Sequence, residues 1–164
     1  MRKLVSRGIV MFAGLLTAPV IPHALESTKV NDVSKDPRFV LLSRFFEGKN
    51  SPAKEHVSDF ILAADRNHLD WRLLPSISFV ESGGGKQYKN NNILGWGSSS
   101  EKFPSVKAGI HEVAHRLSVS KLYKNKSVEG ILRTYNSNAE YSSVVKRVMA
   151  RISPQPTPVL LMQD

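Results

Sequence analysis

Glu81 closes the stretch Leu73-Leu74-Pro75-Ser76-Ile77-Ser78-Phe79-Val80-Glu81-Ser82, and Gly83, Gly84 and Gly85 follow it directly. At about 100° per residue, with Leu74 at 0°, Ile77 falls near 300°, Ser78 near 40° and Glu81 near 340°. The spacing predicts a carboxyl group inside the apolar stripe of a short helix, at its last turn. Burial and the negative end of the helix dipole both disfavour ionisation there. They favour the protonated acid, the form that general acid catalysis requires. A structural carboxylate, salt-bridged or partly exposed at a helix end, is the plainer alternative.

Two further segments carry residues of the same chemical use. Asn90-Asn91-Asn92-Ile93-Leu94-Gly95-Trp96-Gly97 combines amides, close-approach glycines and a large aromatic ring. Sugars offer hydroxyls at their edges and C–H faces that pack on aromatic rings, so the segment suits a saccharide groove. Alone it reads equally well as a turn with Trp96 in the core. Arg133-Thr134-Tyr135-Asn136-Ser137 adds a phenol and an amide, which could order a substrate or orient Glu81. Alone it reads as a core tyrosine and a helix C-cap.

His111-Glu112-Val113-Ala114-His115 matches the H-E-x-x-H pattern of zinc proteases. With Ile110 at 0°, Val113, Ala114 and Leu117 fall near 300°, 40° and 340°, whereas His111 and His115 fall near 100° and 140°. Both histidines therefore lie off the core face, and no His follows to complete a site. Neither a metal nor a cofactor is expected.

The elements that must position these residues are read from periodicity and caps. A first helix, with Phe39, Leu42, Phe45 and Phe46 inward, ends near Gly48. Ser51-Pro52 starts a second, with Ser as N-cap, that buries Val57, Phe60, Ile61 and Ala64. Asp70 is expected to cap the helix that carries Glu81. From Gly83 to Ser100 the composition turns to Gly, Asn and Ser, which predicts a small hairpin or loop pair. Helices are then expected from Val106 to about Tyr123, from Ser127 through Tyr135, and from near Asn138 to Ile152, the last with Tyr141, Val144, Val145 and Val148 inward. The fold class is mainly α (α+β), a helical domain with a small β-hairpin beside the groove.

The chain has 164 residues, room for one domain with a proper core and hardly for two. Arg2, Lys3 and Arg7 precede an uncharged apolar run from Gly8 to Ile21, short for a membrane span and suited to a signal peptide. Residues 1–24 are read as that signal, or as an uncleaved N-terminal anchor. Residues 25–36 are read as a flexible linker, 37–152 as the domain, and 153–164 as a proline-containing tail. The location is exported: periplasm, extracellular space or cell wall. Losing the signal removes three positive charges, so a net charge of +9 becomes +6. That surplus favours an anionic partner, but no basic stripe interleaved with aromatics points to nucleic acid. With no cysteine, the fold rests on its hydrophobic core alone.

In order, the chain shows Glu-Ser-Gly at a helix end, an Asn-rich turn with Leu-Gly-Trp, a Phe-x-Ser-x-x-x-Gly-Ile helix start (Phe103, Ser105, Gly109, Ile110) and Tyr-Asn before the last helix. This order resembles the lysozyme-like superfamily of peptidoglycan-cleaving enzymes, above all bacterial glucosaminidase domains and lytic transglycosylases, over roughly residues 52–152. The resemblance implies a small helical domain with a glycan groove between helices and hairpin. It implies catalytic roles for Glu81, as general acid, and Tyr135, in support, with Ser82, Asn92, Trp96, Gly97 and Asn136 binding substrate. Ile93-Leu94-Gly95-Trp96 stands where many transglycosylases have Gly-Leu-Met-Gln, so both subfamilies stay open. Glycoside hydrolysis ordinarily uses two carboxylates. The candidates for a second are Glu101, Asp70 and Glu140. A lone Glu would serve attack by the substrate's N-acetyl group or by its 6-hydroxyl. The expected partner is the peptidoglycan glycan strand, met by a monomer, with membrane contact only through an uncleaved signal. A non-catalytic wall-binding module is the alternative of another class.

Overall fold

The computed structural model describes residues 33–154. The readings of residues 1–24, of most of the linker and of the tail beyond Pro154 lie outside that range. Residues 33–36, assigned to the linker, belong to the fold. Val33–Lys35 form a 3-10 turn, and the Asp36 carboxylate accepts from the Arg38 amide at 2.8 Å. Pro37 at the first helical position and this cap together start α1 (Pro37–Glu47). Such a cap contributes about 1 kcal/mol.

Five more helices follow: α2 (Val57–Arg66), α3 (Leu73–Ser82), α4 (Val106–Val119), α5 (Val128–Tyr135) and α6 (Tyr141–Ile152). A 3-10 turn over Pro52–His56 leads into α2. Ser51 precedes it as expected, but its hydroxyl is spent elsewhere, donating to the Gly84 carbonyl at 2.7 Å. The last helix starts at Tyr141 rather than near Asn138, because the Asn138 side chain accepts from the Glu140 amide and holds an open turn first. α4 stops at Val119, where Ser120 turns extended and its carbonyl collects the Tyr123 and Lys124 amides.

The key element is α3. It carries no charge before Glu81, and Leu73, Leu74, Pro75, Ser76, Ile77 and Ser78 are all buried. A helix without a polar face must lie inside the domain. α6 packs along it, and α2 packs on α4. Arg72, before α3, is held by Asp70 at 2.6 Å and donates to the carbonyl of Ser153, just after α6, at 2.9 Å. The start of α3 thus meets the end of α6, so the two run antiparallel. Glu81, at the end of α3, consequently faces the first residue of α6. Leu42, Phe46, Phe60, Leu74, Ile77, Ile110, Leu132 and Val145 share one core with no exposed surface. Fully burying a side chain of this size contributes roughly 1.5–3 kcal/mol.

The expected hairpin is not present, and no strand occurs among the described residues. Asn90, Asn91, Gly95, Gly97, Ser98 and Ser99 all have φ between 55° and 69°. Left-handed residues at this density cannot run extended. The segment instead folds into successive tight turns around Asn92. The buried Asn92 amide accepts from the Trp96 N–H at 2.9 Å and donates to the Trp96 and Glu101 carbonyls at 2.8 and 3.2 Å. The fold is therefore mainly helical, with a stapled loop where the β element was expected.

Candidate active site

The loop from Asn90 to Ser100 and the antiparallel pair α3–α6 meet at Glu81. Its side chain is exposed, not sunk in the apolar stripe as the spacing predicts. The helix ends one residue later, at Ser82, a left-handed Gly83 follows, and the last turn of α3 reaches solvent. The carboxylate is nevertheless held. Tyr141 Oη donates to Glu81 Oε1 at 2.7 Å. Gly95, at φ +69°, lies against the other side of the group: a Cβ there would collide with Oε2 and come within 2.8 Å of Cδ. Only glycine allows both the backbone angle and this approach. Among the described residues no cation pairs with Glu81.

Three aromatic rings extend from this point. Tyr135 stacks on Tyr141 with centroids 6.2 Å apart and planes at 5°. Trp96 meets Tyr135 edge-on at 5.6 Å and tilts against Tyr123 at 5.7 Å. The Arg116 guanidinium lies 5.8 Å from the Trp96 ring centroid, within cation–π range. Glu101 and Glu112 fix that guanidinium at 2.7 and 2.6 Å. Together Gly95, Trp96, Gly97, Arg116, Tyr123 and Tyr135 line an open cleft of about 420 Å³, which Gly95 separates from the Glu81 carboxylate. A hollow of about 510 Å³ elsewhere, lined by Glu47, Asn50, Ser51, Pro52 and Lys54, has no aromatic wall.

The site residues expected from sequence divide into two groups. Trp96, Gly97 and Tyr135 come together in the lining of the cleft, and Glu81 lies beside it, across Gly95. Ser82 and Asn92 do not face it. Ser82 is buried, within 2.8 Å of the Ser78 and Ile93 carbonyls, and accepts from the Gly85 amide at 2.9 Å. Ser82 staples the loop to α3 and Asn92 staples the loop to itself, and their polar atoms are satisfied internally. Asn136 follows α5 and accepts from the Asn138 amide at 2.9 Å, shaping the turn into α6. The Tyr135 hydroxyl donates to the Leu94 carbonyl at 2.6 Å rather than to Glu81. The phenol on the acid belongs to Tyr141, which periodicity places simply on the inward face of the last helix. Tyrosine satisfies an apolar stripe and still carries a donor, so pattern alone conceals that second use.

Burial raises the Tyr141 pKa well above its ordinary value, and the hydrogen bond to Glu81 and the charge of that carboxylate raise it further. Burial likewise lifts Tyr135, with a smaller push from Glu81. Both phenols therefore stay protonated, and Tyr141 remains a neutral donor at any physiological pH. The arrangement fixes one carboxylate oxygen without neutralising the group by a cation. Such a carboxylate can exchange a proton with a ligand laid across the loop.

The histidines of the H-E-x-x-H stretch serve differently. His111 lies 3.6 Å from Asp59 on α2, which also holds His56 at 3.1 Å and Lys107 at 3.4 Å, and His115 is exposed. Burial lowers the His111 pKa against the opposing pull of Asp59. Among the described residues, no group of three or more His, Cys, Asp or Glu is placed to hold a metal ion. The chain matches no known protein-family model and no curated protein sequence.

Proposed function

We propose that the protein cleaves the β-1,4 glycan of peptidoglycan as a lysozyme-like, endo-β-N-acetylglucosaminidase-type enzyme acting outside the cytoplasmic membrane. The observation that carries this reading is the carboxylate of Glu81, held by the neutral donor Tyr141 and parted from an aromatic-walled cleft by Gly95 alone. A pyranose can lay a C–H face on Trp96 while its hydroxyls meet the polar rim of the cleft.

In the reaction Glu81 gives its proton to the glycosidic oxygen as the C1–O bond breaks. A sugar covering the loop would exclude water from the carboxyl group and so favour the protonated acid that this step needs. The carbonyl oxygen of the substrate's N-acetyl group then bonds to C1. Glu81, now ionised, takes a proton from water as that water opens the ring intermediate. Tyr141 holds Oε1 throughout and prevents the side chain from swinging away.

A lytic transglycosylase is the second reading, which likewise needs no second carboxylate. Glu101 is tied to Arg116, and Asp70 is tied to Arg72 at the far end of α3. Eight residues of helical rise, roughly 12 Å, separate Glu81 from Leu73, and Asp70 lies before that start. Glu140 is exposed beside Tyr141. With no second carboxylate assigned to attack, the sugar's 6-hydroxyl could bond to C1 and give its proton to Glu81, which yields an anhydro sugar. Mass spectrometry of digested sacculi separates these outcomes. New reducing-end N-acetylglucosamine names the glucosaminidase, anhydro-N-acetylmuramic acid names the transglycosylase, and unaltered glycan that retains bound protein names a wall-binding module.

A further inference from the structure

We infer that the seam between α3 and α6 is a second binding site, and that it takes the acidic peptide stem carried by the glycan. The inference rests on the glycosidase reading above. Phe79, Val80, Val144, Arg147, Val148 and Arg151 line a hollow of about 300 Å³ along that seam. Its floor is apolar: Val148 is buried, and Phe79, Val80 and Val144 are partly so. Its rim is cationic. Arg147 and Arg151 are exposed and stand one helical turn apart on the same face.

The charge arrangement is what needs an occupant. Arg38, Arg72, Arg116 and Arg133 are each neutralised by a carboxylate within hydrogen-bonding distance. Arg147 and Arg151, like Arg44 and Arg66, have no such partner among the described residues, but Arg147 and Arg151 share one hollow, and no carboxylate among the described residues lines it. Like charges four residues apart on a helix repel, so the pair concentrates positive potential over an apolar floor. Guanidinium groups meet carboxylates in paired hydrogen bonds. The complementary ligand has carboxylates spaced by short alkyl groups, which describes a peptide of small and acidic residues.

The location selects which peptide. Val80 immediately precedes Glu81, and Val144 stands one turn beyond Tyr141, so the hollow begins beside the acid–phenol pair. The aromatic cleft lies on the loop side of Glu81 and this hollow on the α3–α6 side. A glycan strand crossing Glu81 would bring the stem of an adjacent muramic acid towards Arg147 and Arg151. The two arginines would then select stem-bearing glycan over bare glycan.

The test uses the full chain as wild type, as Arg147→Ala/Arg151→Ala and as Arg147→Lys/Arg151→Lys. Each is given intact sacculi and sacculi stripped of stems by an amidase. The double alanine variant is expected to lose about tenfold in kcat/KM on stem-bearing sacculi, mostly through KM. It should match wild type on stripped glycan and keep its thermal midpoint, and the lysine variant should recover part of the loss. Equal losses on both substrates, or no loss on either, overturn the stem site while leaving the glycosidase reading intact. If the wild type cleaves neither substrate, the glycosidase reading fails and the stem site fails with it. Equal binding of wild type and the alanine variant to the soluble stem peptide also overturns it.

Discussion

Glu81 and Glu101 stand on either side of the same loop, and the fold treats them in opposite ways. Glu101 is locked onto Arg116 at 2.7 Å, and that guanidinium in turn sits over Trp96. Glu81 receives one hydrogen bond from a neutral phenol and lies against a glycine. A carboxylate paired with a guanidinium is engaged in a charge-assisted contact that fixes both partners. A carboxylate held by a phenol is fixed in place with no cation against it. The difference suits the two groups to different work: Glu101 braces Arg116 against Trp96, and Glu81 is the carboxylate to which the proposed function gives the chemistry.

Ways to break that contrast can be ranked by the size of the expected effect. Glu81→Gln keeps the shape and the Tyr141 contact but removes the proton, and should lower kcat by about 10²–10⁴-fold in initial-rate assays on sacculi. Gly95→Ala places a methyl group on the carboxylate at a left-handed backbone position. Destabilisation of about 1–2 kcal/mol in chemical unfolding is expected. A loss of activity larger than the fraction unfolded should accompany it, since Glu81 must move. Tyr141→Phe should lower kcat with little change in KM. Tyr135→Phe removes the bond to Leu94 and should instead cost about 1 kcal/mol of stability, read by thermal melts. If Tyr135→Phe proves the more damaging to kcat, the assignment of the two phenols is reversed.

Arg116→Gln tests the brace. It should raise KM by loosening Trp96 while leaving kcat nearly unchanged, as measured by saturation kinetics. The smallest effect is remote from the site. Glu129 is held at about 2 by hydrogen bonds first from Lys146 and then from Arg133, against an ordinary 4.5. The folded value is the lower one, so its contribution to stability is present above about 4.5 and is lost as pH falls towards 2. Wild type should therefore lose thermal midpoint slightly faster than Glu129→Gln between those values.

The helices were legible because their signals are local. The Ser127 hydroxyl caps α5 where a helix start is expected, and the apolar spacing of α2 and α4 matches their buried faces, whereas the Asp36 cap of α1 lies in a stretch assigned to the linker. The loop was not legible. Its Gly, Asn and Ser content is shared by hairpins and by chains of left-handed turns, and only the Asn92 hydrogen bonds decide between them. Glu81 was found by its place on α3, but its exposure was not, since periodicity cannot say where a helix end clears the core. Tyr141 was hidden for a related reason. Its contact with Glu81 spans 60 residues and exists only because α3 and α6 run antiparallel.

The central claim is that Glu81 is the proton-exchanging carboxylate and Glu101 is not. The most direct measurement is the count of new glycan ends, by mass spectrometry, after equal amounts of folded wild type, Glu81→Gln and Glu101→Gln are incubated with purified sacculi. New ends from the wild type and Glu101→Gln, with none from Glu81→Gln, are the predicted result. Undiminished cleavage by Glu81→Gln, or silence from Glu101→Gln with its fold intact, would contradict the account.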